Sequence, residues 1–220
     1  MRGALIAAAC ALAMAAPDGY MPARYKTGAV PDLPALAVGA GEVVLEVDVD
    51  ASGNVTGVAP LRTTPPFTAF LTDAVRSWRF SPATRLTPQP GEPAVRTPVP
   101  SRIAVVGVFR PPSLIGPTLG EAPRDAGTGS ADVALPLSTT MPSYPPAAFS
   151  PGVVLAEVLI TPDGSVGDLT ILRSAPPFDT AALDALRTWR FRPARLDGAP
   201  VASYVDVVFG FPVPIVTRGR

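Results

Sequence analysis

The 220-residue sequence predicts an α+β fold made of two small tandem domains, each a three-stranded antiparallel sheet packed by one main helix, and three features lead there. One long stretch is written twice at a constant offset. Each copy opens with strands of alternating polarity around a glycine turn. Each then runs into a short amphipathic helix and closes on a last apolar strand.

The duplication is plainest in "PPFTAFLTDAVRSWRFSPA", residues 65–83, which returns as "PPFDTAALDALRTWRFRPA", residues 176–194. The match runs without a gap from Val43 to Ala83 and from Val154 to Ala194 at an offset of 111, with 18 of 41 positions identical. A stacked solenoid needs more copies than two, so two domains are expected instead of an array.

In "EVVLEVDVD" the residues Val43, Leu45, Val47 and Val49 alternate with Glu42, Val44, Glu46, Asp48 and Asp50, the period of a strand with one wet face. The second copy keeps the inward set as Val154, Ala156, Val158 and Ile160. Gly53 and Gly164 supply the positive φ of a tight turn, and Asp163-Gly164 is a strong hairpin signal. Second strands follow over Val55 to Arg62 and Val166 to Arg173, and Pro60 places the first of these at a sheet edge because it cannot donate to a ladder.

Thr68 and Asp179, just after Pro-Pro-Phe, are the expected helix N-caps. Phe178, Ala182, Ala185, Leu186 and Trp189 share one helical face and cover the sheet, which makes Trp78 and Trp189 core residues and not stacking platforms. Arg187 and Arg190 complement the negative end of the second helix. The last strands are Arg102 to Phe109 and Val201 to Phe211; before the first of them lies a Pro-rich loop longer than its counterpart.

Lysine plus arginine equals aspartate plus glutamate at 18 each, so no basic field exists to hold nucleic acid. The first residues read as an export signal: Arg2, the apolar run "ALIAAACALAMAA", and the small-x-small pattern Ala13-Met14-Ala15, with cleavage after Ala15 and no membrane span in the mature chain. Lipid attachment at Cys10 and a buried N-terminal helix are the alternatives. Cys10 is the only cysteine and the sequence has no histidine, so after cleavage no disulfide, thiol nucleophile, Ser-His-Asp triad or conventional zinc site can form. A carboxylate enzyme such as a glycosidase needs two acids converging in a cleft, whereas Glu46, Asp48 and Asp50 alternate outward and Asp163 and Asp179 cap turns and helices. No enzymatic activity and no cofactor are expected. The organisation is 1–15 signal peptide, 16–40 lead segment, 41–110 first repeat, 111–141 Pro/Gly-rich linker or strap, and 142–214 second repeat.

The segments "PSYPPAAF", "GVVLAEVLITPDGSV", "FDTAALDALRTWRFRPARLDGAPV" and "VDVVFGF" resemble the TonB C-terminal domain family. The resemblance covers Pro142 to Phe211 well and Gly41 to Phe109 more loosely. It implies a three-stranded antiparallel sheet with the first strand central and a helix across one face. It also implies a periplasmic coupling or binding module that captures an extended peptide of an envelope protein, such as an outer-membrane TonB-dependent transporter, along its last strand. Carried onto this sequence, that strand is Val201, Ala202, Ser203, Tyr204, Val205, Asp206, Val207, Val208 and Phe209, with Arg102 to Phe109 as the first copy's counterpart and Asp206 facing outward. The sequence departs from full energy transducers, which keep an uncleaved membrane helix and a long Pro-rich rod, and its first copy lacks a Tyr-Pro-x-x-Ala lead-in. The competing reading is architectural: the two copies pair edge to edge, within or between chains.

Overall fold

The computed structural model describes residues 19–30, 33, 40–111, 129–146 and 148–212, so the expected signal peptide and Cys10 lie outside the described residues. In the first half the elements are β1 (Arg24–Thr27), β2 (Gly41–Val49), β3 (Val55–Arg62), α1 (Phe67–Val75), β4 (Arg79–Ser81), β5 (Ala83–Gln89), β6 (Glu92–Val99) and β7 (Ser101–Phe109). The second half repeats the order with β8 (Leu135–Ser138), β9 (Gly152–Ile160), β10 (Val166–Arg173), α2 (Phe178–Leu186), β11 (Arg190–Arg192), β12 (Ala194–Leu196), β13 (Ala199–Val201) and β14 (Ser203–Phe211).

In each half the first long strand is central, β2 between β3 and β7, and β9 between β10 and β14, all antiparallel. The halves do not form two separate sheets. β14 pairs in parallel with β7, which gives one six-stranded sheet in the order β10-β9-β14-β7-β2-β3. β3 with Pro60 lies at one outer edge, the place in a sheet that tolerates a missing N–H. β10 is the other edge.

Equivalent strands lying side by side and parallel are exchanged by rotation about an axis along the strands, which turns the sheet over. The two helices accordingly cover opposite faces. Phe67, Leu71 and Val75 of α1 pack on Val43, Leu45, Val47, Ile103 and Val105. Phe178, Ala182 and Leu186 of α2 pack on Val154, Ala156, Val158, Val205, Val207 and Phe209 from the other side. The seam must therefore be staggered by one residue, because partners across a ladder share a face and a one-residue slip exchanges faces. Val205 points to α2 and pairs with Ala104, whereas Ile103, one position earlier, points to α1.

Local contacts repeat at the offset seen in the sequence. Gly53 and Gly164 both have φ of 83°, and a Cβ on either would sit 1.9 or 2.1 Å from the carbonyl oxygen of Phe80 or Phe191. Glycine is required there twice over, by conformation and by space. The Phe80 and Phe191 amides donate back to these glycine carbonyls at 2.8 and 2.9 Å. Trp78 and Trp189 are fully buried, with Nε1 donating to the carbonyls of Ala29 (2.8 Å) and Thr140 (3.0 Å). Phe67 stacks on Phe109 at 4.2 Å and Phe178 on Phe211 at 4.3 Å. The Ala29 and Thr140 carbonyls lie two residues past short strap strands, β1 against β4 and β8 against β11. The offset thus extends upstream of Val43, and it sets Leu33 opposite Tyr144: the first copy has a lead-in, with leucine in place of tyrosine.

The expected N-caps are corrected. Neither helix has a side-chain cap on its own first turn. Thr68 Oγ1 accepts from the amide of Thr64 at 2.7 Å, and Asp179 Oδ1 from that of Ala175 at 2.8 Å. These side chains reach back across the Pro-Pro turn and fasten the end of the preceding strand.

Candidate functional site

The nine residues expected to capture a partner do not form one strand. Val201 ends β13 and pairs with Ala194, Ala202 lies between strands, and Ser203 to Phe209 belong to β14. From Val205 to Phe209, β14 is hydrogen-bonded on both sides, to Val158–Val154 of β9 and to Ala104–Val108 of β7. Arg102 to Phe109 occupies the mirror position. Ser203 and Tyr204 pair with β9 alone.

Asp206 is not on a wet face. It is 1% exposed and lies opposite Glu157 of β9, which is 2% exposed. Strand alternation does turn Asp206 away from α2, but that face is covered by the first half. Arg24 of β1 donates through Nε to Glu157 Oε2 at 3.0 Å, pairs again with the same oxygen through Nη2, and lays its guanidinium 4.5 Å over the Tyr204 ring. Burial, then the charge of Glu157, pushes the Asp206 carboxyl well above its usual range, with Arg24 opposing.

The reciprocal contact is made by Glu46, the residue equivalent to Glu157. It accepts from the amide and hydroxyl of Ser130, both at 2.7 Å, in the segment leading into β8. Arg102 bonds Asp48 at 2.7 Å and Asp132 at 3.4 Å, and Arg85 bonds Asp197 at 3.1 Å, so ion pairs too run between the halves. Each half's strap thus clamps the other half's sheet. Sequence reasoning missed this clamp, although one signal was present: Glu46 and Glu157 are identical at the offset, on the face away from their own helix.

The seam itself is made of backbone bonds supported by apolar side chains; Val205, Val207, Val208 and Phe209 are fully buried. Among the described residues no cluster of histidine, cysteine, aspartate and glutamate could hold a metal ion, and no helix is long and apolar enough to cross a membrane. The arrangement is an α+β sheet in which the two last strands are paired backbone to backbone.

The comparisons with known proteins find similarity in the second half. Residues 141–212 match the family described as Gram-negative bacterial TonB protein C-terminal. Two curated relatives, Protein TonB from two strains of Xanthomonas campestris pv. campestris, are each 36% identical over 75 residues, covering 32% of this chain and 34% of theirs. The match thus spans about a third of the curated relatives' length. A solution structure of the Pseudomonas aeruginosa TonB C-terminal domain aligns at 29% identity over 42% of this chain and 95% of its own, with a TM-score of 0.32.

Proposed function

We propose that this protein is a TonB-type module of the periplasm, without enzymatic activity, whose two repeats are mated edge to edge within one chain to make a rigid double-faced sheet. Of the sequence-based readings this is the architectural one, and the parallel pairing of Val205–Gly210 with Ala104–Phe109 carries it. Partners are envelope proteins, with outer-membrane TonB-dependent transporters the first to test. Export with cleavage after Ala15 belongs to the same reading, and N-terminal sequencing of periplasmic protein that begins at Ala16 would support it.

Capture along Val201 to Phe209 by strand addition is the second reading. The observation favouring it is that Ser203 and Tyr204 lack a β7 partner. Beyond them the β7 ladder already occupies the edge. Full-length capture therefore requires the seam to open.

Hydrogen exchange tests the seam. Amides of 205–210 should be protected to the level of global unfolding, and protection should not change on dilution, as intramolecular pairing demands. Asp206→Pro removes a donor from a strand paired on both sides and should unfold or split the chain. A folded Asp206→Pro protein with fast-exchanging 205–210 amides would refute the mated arrangement.

A further inference from the structure

The two last strands differ at one rung. In the first half Glu46 lies opposite Ala104 and is met by the Ser130 amide and hydroxyl and by Arg102 at 3.7 Å. At the equivalent rung of the second half Glu157 lies opposite another acid, Asp206. The strap over that rung is β1, which comes from the first half.

Three observations say what this rung needs. First, opposite residues on neighbouring strands share a face with Cβ atoms about 4.5–5.5 Å apart, and both side chains are all but inaccessible, Asp206 at 1% and Glu157 at 2% exposure. Asp206 Oδ1 and Glu157 Oε1 are each buried with no hydrogen-bond partner among the described residues. Two carboxylates can only accept, whereas a protonated one supplies the missing donor. Second, the charges balance only with that proton in place. Arg24 is the one cation among the described residues that pairs with either acid, through Glu157 Oε2. Around it, Tyr204 of β14 contributes the ring under the Arg24 guanidinium, and Tyr25 of β1 donates its hydroxyl to the Gly28 carbonyl at 2.9 Å. β7 sets Val105 beside Asp206, and its one charged residue, Arg102, is held by Asp48 and Asp132. β10 sets Thr170 opposite Glu157, and its charged residues, Asp168 and Arg173, are exposed, as are Lys26 of β1 and Arg79 of β4. Third, the covers are unequal. β14 is laddered on both sides at this rung, whereas β1 is four residues pairing with three of β4, and Arg24 keeps half of its side chain in solvent.

We propose that one proton shared by Asp206 and Glu157 keeps the β1 strap closed over β14, and that its loss lifts Arg24 and Tyr25 while the sheet beneath stays paired. Without the proton two buried negative charges face one cation, and the uncompensated charge is stable only with water beside it. Of the elements around the rung, β1 is the one that can let water in. Burial and the Glu157 charge hold the proton in the closed state, whereas with the strap lifted Asp206 returns toward its usual 3.8. The closed strap is therefore most favoured below that value and loses its advantage as pH rises, until the closed pair itself ionises. Release of one proton raises the opening constant by up to about tenfold per pH unit. The proposal rests on the mated halves, because strap and carboxyl pair come from different halves.

Hydrogen exchange on the full chain, read by NMR from about pH 4 to about pH 9 and divided by the intrinsic rate at each pH, tests it. The 24–27 amides and the Trp78 indole N–H, bonded to the Ala29 carbonyl, should be at least about tenfold less protected than the 205–210 amides, and their protection should fall by up to about tenfold per pH unit. The ¹³C shift of the Asp206 carboxyl should titrate where that fall levels off. Asp206→Asn, with no proton to lose, should flatten the profile. A flat strap profile in the wild type overturns the switch, since the strap then opens without releasing a proton. So does a carboxyl that titrates near its usual 3.8, or a slope that survives in Asp206→Asn. Strap protection equal to that of 205–210 also overturns it, because β1 then opens only with the whole sheet. Each of these outcomes, seen with 205–210 protected at the acid end, rejects the switch alone; 205–210 amides unprotected at every pH reject the mated fold beneath it.

Discussion

Replacing Asp206 by asparagine should remove a pH-dependent weakness at the centre of the sheet. The carboxyl is 1% exposed, lies opposite Glu157, and has its pKa raised from the usual 3.8 by burial first and by the Glu157 charge second. A group whose folded pKa exceeds its unfolded value contributes most below the unfolded value, and that contribution is lost as pH rises through the folded one. Here the loss starts near 3.8 and continues until folded Asp206 ionises. Within this window one extra proton is bound by the folded state, so stability falls by at most about 1.4 kcal/mol per pH unit on account of this residue. Asparagine has the same shape and does not titrate. Urea melts of wild type and Asp206→Asn, run at steps from about pH 4 to about pH 9, should show the variant's relative stability climbing with pH and then levelling. Groups elsewhere cancel in the difference. A difference that stays flat across the series, or that falls, would mean Asp206 is solvated and the face is not covered by Arg24 and the first half.

Two further substitutions test the packing. Trp189→Ala deletes a fully buried ring whose Nε1 holds the second strap through the Thr140 carbonyl, and should cost roughly 3–5 kcal/mol in a denaturant melt; a nearly unchanged midpoint would mean the ring is exposed. Gly164→Ala puts a Cβ 2.1 Å from the Phe191 carbonyl oxygen at a φ of 83°, and should cost at least about 1–2 kcal/mol from the backbone conformation alone, whereas Gly198→Ala, at φ 82° with open space around it, should cost no more than that conformational part.

Within one repeat the sequence is close to sufficient. Alternation in Val43 to Val49 and Val154 to Ile160 sets which side chains meet the helix, Asp163-Gly164 sets the hairpin, and Pro60 sets an edge, because each rests on contacts a few residues apart or on a backbone constraint of the residue itself. The tryptophans are core as expected, but both lie past the helix ends at Val75 and Leu186, so their burial comes from the turn that follows each helix and not from the helical stripe. Identity at the offset of 111 also foretells equal contacts in both halves, down to the glycine carbonyls that receive Phe80 and Phe191.

The candidate site was less legible, and Asp206 shows why. Its place on the strand correctly turns it away from α2, and an aspartate turned away from its own helix reads as solvated. What buries it is Arg24, 182 positions earlier in the chain, together with Tyr204 and Glu157. Likewise, nothing local tells whether the last strand's outer edge meets water, a partner or β7; any extended apolar strand offers the same peptide groups to each. By itself the sequence determined the repeat, the strands, the turns and the helix faces, since these follow from period and backbone constraint. Only the tertiary structure decided that the two last strands run side by side in parallel, one residue out of step, with the straps crossed over, because that pairing depends on non-local fit between surfaces that each repeat presents without naming the other.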